Sequence, residues 1–135
     1  MVFQPMRRDS GATRQYLTAA STTITKQQAL VFASGYVTPA LATSPEVFVV
    51  SNEAITTAAA THKAIKCLNT NAANISFEVL TNITPVQATH VGNKYDLIDG
   101  KSINLSFSTY AVFLVTHIKD VANKIVGGFF VKKAT

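Results

Sequence analysis

Ala111-Val112-Phe113-Leu114-Val115-Thr116 and Ile125-Val126-Gly127-Gly128-Phe129-Phe130-Val131, with the polar connection Asp120 to Asn123 between them, decide the fold class of this chain. Each run is short, almost wholly apolar and rich in aromatic and β-branched residues. That pattern predicts two strands buried on both faces and paired at the centre of a sheet. A glycine inside a regular element is unfavourable by about 1 kcal/mol relative to alanine. Gly127-Gly128 is therefore expected to mark a bulge or a sharp bend.

Outward from this pair, Ile103, Leu105 and Phe107 alternate with Asn104 and Ser106 as a half-buried strand. It follows Tyr95-Asp96-Leu97-Ile98 across an Asp99-Gly100 turn. Ile75, Phe77 and Val79 alternate with Ser76 and Glu78 in the cleanest half-buried pattern of the chain. Ala29 to Phe32 and Tyr36 to Thr38 read as a strand pair reversing at Gly35, and Val47 to Val50 as a core strand buried on both faces. Lys63 to Leu68 reads as an edge-type strand, and residues 81–94 as loop. Asn52 to His62 supports two readings, a short helical turn capped by Asn52 or an Ala/Thr loop. Short strands with frequent turn signals predict an all-β fold, a small β-barrel or β-sandwich.

The 135 residues fit one domain, and no break in composition divides them. Residues 1–23 lack a sustained hydrophobic period and hold Pro5, Gly11 and a polar run. They read as an extended N-terminal arm ahead of a single β-domain at 24–135. The competing reading makes the segment a first strand of the chain's own sheet. The lone Cys67 has no partner for an internal disulfide and reads as a buried small hydrophobe. No apolar run approaches the roughly 20 residues of a membrane-spanning helix, and the first residues lack the order of a secretion signal. The expectation is a chain without a membrane partner that stays in the compartment of its synthesis.

Only 14% of residues are charged while 47% are hydrophobic, a surface poor in charge that favours burial against partners. The net charge of +5 gathers at both ends and suits acidic partners. His62, His90 and His117 are scattered without ligand spacing, no nucleophile elbow is present, and no phosphate-cradling loop precedes a helix. No catalytic residue, metal ligand or cofactor is expected. Asp99 before Gly100 reads as a turn cap. A nucleic-acid-binding β-barrel module is the alternative from another class. Against it, no strand interleaves basic and aromatic residues on one face, so nucleic acid is disfavoured as a partner. A small-molecule or enzymatic barrel has only the fold class in its favour.

The order of features from Ile24 to Val131 resembles the capsid decoration, or cement, proteins of tailed bacteriophages. The resemblance is carried by Gly35-Tyr36-Val37, by Val47 to Ala54, by Asn74-Ile75-Ser76-Phe77-Glu78, by Val91 to Leu97, and by the closing Val112 to Val115 and Gly127 to Val131. It implies a β-domain on the outer surface of a virion head that binds the major capsid protein and fastens its subunits. It also implies synthesis in the host cytoplasm. Association with its own copies is a further partner expectation, and head-completion or tail roles stand beside the decoration role. The partner-binding candidates lie in the arm: Phe3 and Tyr16 as aromatic anchors, and Arg7, Arg8 and Arg14 as cations for carboxylates.

Overall fold

Turn chemistry sets where the strands reverse. Ser34 and Gly35 both adopt positive φ, 52° and 87°, the conformation of the two-residue turn that matches strand twist. It joins β4 (Ala29–Ala33) to β5 (Tyr36–Pro39). A computed structural model describes residues 3–5, 13–70 and 76–131 of the chain. The remaining strands of the N-terminal half are β1 (Gln4–Pro5), β2 (Thr13–Leu17), β3 (Thr23–Ile24), β6 (Val49–Ser51), β7 (Ile55–Thr56) and β8 (Ala64–Asn69). The C-terminal half holds β9 (Phe77–Thr81), the four-residue helix α1 (Gln87–His90), β10 (Lys94–Asp99), β11 (Ser102–Asn104), β12 (Phe113–Asp120) and β13 (Ile125–Phe130). The fold is all-β.

Both halves close on themselves. In the C-terminal half the pairings run β9–β11–β10–β12–β13 and return from β13 to β9, a ring of five strands. In the N-terminal half the order is β2–β8–β6–β4–β5. Its ends meet where Thr18, just past β2, bridges Val37 and the Ala19 N–H donates to the Val37 carbonyl at 2.9 Å. Closure removes the exposed edges of an open sheet. β3 and β7 form a separate two-stranded ribbon.

Period-two alternation divides the side chains of the N-terminal ring between two cores. Leu30, Val37, Val49, Ile65 and Cys67 fill its interior together with Ile24. Ala29, Val50 and Leu68 point the other way, onto the larger core of the C-terminal ring. There Phe77, Val79, Leu97, Ile103, Phe113, Val115 and Val126 converge. The halves thus share one hydrophobic contact zone.

The central pair forms as expected, β12 against β13, and the ladder slips between Val115 and His117. Gly127 and Gly128 lie opposite this irregularity. A Cβ on Gly128 would fall on the Leu114 carbonyl oxygen and close on the Phe113 ring, and one on Gly127 would enter the His117 ring. The glycines are there because β12 packs against them.

Several expectations need correction. Phe3 is fully buried, β1 pairs with β9, β2 pairs along its length with β8 and β3 pairs with β7, so Gln4–Pro5, Thr13–Leu17 and Thr23 belong to the chain's own sheets. The arm reading fails there because one large ring and one strand-forming pentad suffice to hold the segment. Residues 6–12 lie outside the described residues. Lys63 to Leu68 gives an interior strand, β8, between β2 and β6, because its lysines point outward from a closed ring. Asn52 to His62 contains no helix; Ile55–Thr56 pairs with β3 in keeping with its threonines. In Val47 to Val50, Phe48 is 39% exposed, so that run is not buried on both faces. Residues 81–94 contain α1 within the loop. Phe107 is exposed because β11 ends at Asn104, where Asn82 takes the Leu105 N–H on Oδ1.

Phe3 lies 4.8 Å from Phe130, 5.8 Å from Phe113 and 6.4 Å from Phe77, ring centre to ring centre. Removing a buried phenylalanine ring typically destabilises by about 3–5 kcal/mol. Phe3→Ala is therefore expected to lower the melting temperature by many degrees in a thermal melt followed by circular dichroism. An unchanged melting temperature would show that the N-terminal residues do not belong to the core.

Candidate protein-docking site

The chemistry-bearing side chains are dispersed and each has a structural partner. Cys67 faces the interior of the N-terminal ring, where burial, with a smaller push from Glu53, raises its thiol from 9.0 to about 12. His62 Nδ1 lies 2.8 Å from the Thr18 carbonyl, and the ring stacks on Tyr36 at 3.8 Å. His90 is buried, and its Nδ1 accepts the Val86 N–H at 2.8 Å. Asp96 is buried and accepts the N–H groups of Tyr110 at 2.6 Å and Ala111 at 2.8 Å, pinning the approach to β12. Glu78, also buried, pairs with Lys119 at 2.7 Å. Asp99 accepts the Lys101 N–H at 2.7 Å, the turn role that its place before Gly100 suggests. Among the described residues no group of three His, Cys, Asp or Glu side chains converges for a metal ion.

What does converge is aromatic. Tyr16 on β2 is opposite Ile65, and Phe32 on β4 is opposite Val37, so both share the face that forms the interior of the N-terminal ring. There the core runs out to solvent. The Tyr16 and Phe32 rings meet edge to face at 5.2 Å, and Phe32 and Phe48 lie tilted at 5.3 Å. Phe32 and Phe48 are each 39% exposed, while Tyr16 is half-buried with its hydroxyl donating to Asn69 Oδ1 at 2.9 Å. Arg14, two residues before Tyr16 on the same face, is exposed and makes no ion pair among the described residues. Three rings with a fixed geometry beside a guanidinium have the composition of an interface anchor.

The structure thus treats the five sequence candidates differently. Arg14 and Tyr16 lie on this surface. Phe3 is in the core and offers nothing to a partner in this state, which corrects its anchor assignment. Arg7 and Arg8 lie outside the described residues. Phe32 and Phe48 are the members that the sequence reading missed. Phe48 sits in a run read as buried on both faces and Phe32 in one read only as half of a strand pair, and only the register that places Phe32 at the open end of the ring reveals it as exposed.

Compared with protein-family models, with characterised proteins and with solved structures, the chain matches none. The surface therefore has to be read from its own geometry. Its rings are turned edge to face or tilted and present no parallel platform on which successive bases would stack. An apolar side chain can fill the angle between them, with a carboxylate on Arg14.

The Cys67 environment gives a direct check on the closed N-terminal ring. A thiol held at about 12 stays protonated at neutral pH and is shielded from reagents. Native protein at pH 8 is expected to leave Cys67 unmodified by a disulfide reagent for hours and to react within minutes in denaturant. Prompt reaction of the native protein would mean that the ring opens. Because the folded value is raised, the stability tied to the neutral thiol is present below 9.0 and is lost as pH climbs towards about 12.

Proposed function

We propose that this chain is a virion structural protein, a capsid decoration protein that binds the outer surface of the major capsid protein lattice and stabilises the head. The observation that carries the protein-binding part of this reading is the half-exposed cluster of Tyr16, Phe32 and Phe48 beside Arg14. The virion part rests on the likeness of the strand and glycine pattern to phage cement proteins. A rigid all-β body with closed rings and apolar rings at its surface suits a part that adds stability to a lattice by contact alone. Little ordering entropy is lost when such a surface docks.

The nucleic-acid reading is the weaker one, since the exposed rings pack against one another. It predicts oligonucleotide binding that falls steeply with salt.

Two measurements test the proposal. Mass spectrometry of intact particles from the source virus should find the chain in stoichiometric copies, and its absence would refute the virion assignment. Phe48→Ser should leave the melting temperature within a few degrees, because that ring is partly solvated already. It should weaken attachment to particles stripped of the protein by roughly thirty-fold, the equivalent of about 2 kcal/mol for an interface anchor. Full attachment by Phe48→Ser together with Phe32→Ser would place the docking surface elsewhere.

A further inference from the structure

One side of β9 is shared by two neighbours. β11 runs parallel to it and pairs with Leu80 and Thr81, whereas Phe77 and Glu78 on the same strand pair with Pro5 and Gln4 of β1. β1 thus fills a notch of two ladder positions that β11 does not reach. Beside the notch is a hole bounded by the rings of Phe77, Phe113 and Phe130, and Phe3 occupies it. The segment's other described backbone tie is the Phe3 N–H to the Gln27 carbonyl at 2.8 Å. The site recognises an extended segment by main-chain pairing and by one aromatic side chain.

The occupant is joined to the rest of the fold in an unusual way. β1 belongs to the C-terminal sheet and β2 to the N-terminal ring, and residues 6–12 join them. Eight Cα-to-Cα steps from Pro5 to Thr13 span at most about 26–29 Å, enough to reach a molecule in contact with this one. An identical segment from a second copy would make the same ladder pairs and the same ring contacts. The balance between self-filled and exchanged forms is then set by effective concentration, on the order of millimolar for a short tether.

We propose that the notch on β9 is an exchange site between copies of this chain, in which residues 3–5 of one copy occupy the notch and aromatic hole of its neighbour when copies are crowded. The occupant is a second copy. The site differs from the aromatic docking surface, and its test is done in solution, so its failure leaves the virion reading untouched.

Gln4 and Glu78 are register partners, at a separation that a disulfide can bridge. Gln4→Cys and Glu78→Cys are made in separate chains and mixed near 1 mM after a brief pulse of denaturant under reducing conditions, and oxidant is added only after refolding, when the Cys67 thiol is again buried. Oxidation is expected to yield a crosslinked heterodimer several-fold above that of Gln4→Cys mixed with Lys101→Cys. The double variant, which should crosslink within one chain at micromolar concentration, calibrates the geometry. A heterodimer yield no higher than the control overturns the proposal. A second arm avoids the cysteines: the chain lacking residues 1–5 should melt earlier and regain stability with millimolar Met-Val-Phe-Gln-Pro, but not with the peptide in which Phe is Ala. No gain from the Phe peptide likewise overturns it.

Discussion

The close approach of β12 to β13 at Gly128 is the constraint on which the rest of the C-terminal half depends. With no Cβ there, the Leu114 carbonyl and the Phe113 ring come against the backbone of β13. Phe113 can then meet Phe130 at 5.2 Å and Phe3 at 5.8 Å. Any side chain at Gly128 would push the Phe113 ring aside, and the hole that Phe3 fills would lose a wall. One missing methyl group therefore links the tightest strand pair, the aromatic core and the N-terminal segment, because interiors packed to crystal-like density transmit such displacements.

The sequence made the strands of the C-terminal half legible because their signals are local. Alternation in Phe77 to Val79, the Asp99-Gly100 turn and the two apolar runs each fit within a few residues. The Ser34-Gly35 reversal was legible for the same reason. What stayed hidden depends on partners distant in sequence. β2 has a mixed polar pattern and becomes a strand through β8, some fifty residues away. Glu78 read as the polar side of a half-buried strand and Asp96 only as part of a short strand, yet Asp96 is buried and held by two N–H groups from the approach to β12, and Glu78 is buried against Lys119. Of the candidate site, Arg14 and Tyr16 were legible as a cationic and aromatic pair. The exposure of Phe32 and Phe48 follows from ring closure, which no short window contains.

Closure also decides how this protein can recognise a partner. In an open sheet a neighbour can add a strand to the free edge, and the main chain then supplies much of the affinity. Here each ring uses its edges internally apart from the two positions of β9 that β1 fills, and the N-terminal ring is sealed by Thr18 against Val37. Recognition shifts to side chains that stand clear of the rings. At the aromatic cluster, Tyr16 and Phe32 carry the interior face of the N-terminal ring out to solvent, so its chemistry is that of a core cut open. Its rings pack on one another edge to face and tilted, which lowers the entropy that a partner must remove and limits the apolar area offered to water.

Charge placement reinforces this division. Of the acidic side chains in the described residues, Glu53, Asp99 and Asp120 accept backbone N–H groups, Asp96 is buried on two of them, and Glu78 is buried against Lys119. Most carboxylates are therefore held by local donors. The exposed Arg14, Lys26, Lys63, Lys66, Lys94, Lys101 and Lys124 have no such ion pairing among the described residues. With Glu78 and Asp96 buried and these cations exposed, an approaching molecule meets a surface on which positive groups prevail. Long-range attraction of this kind raises the rate of encounter with an acidic surface and fades as salt is added. Short-range affinity is left to the rings. Approach governed by lysines and retention governed by Tyr16, Phe32 and Phe48 should separate on salt titration, association slowing while dissociation stays nearly constant.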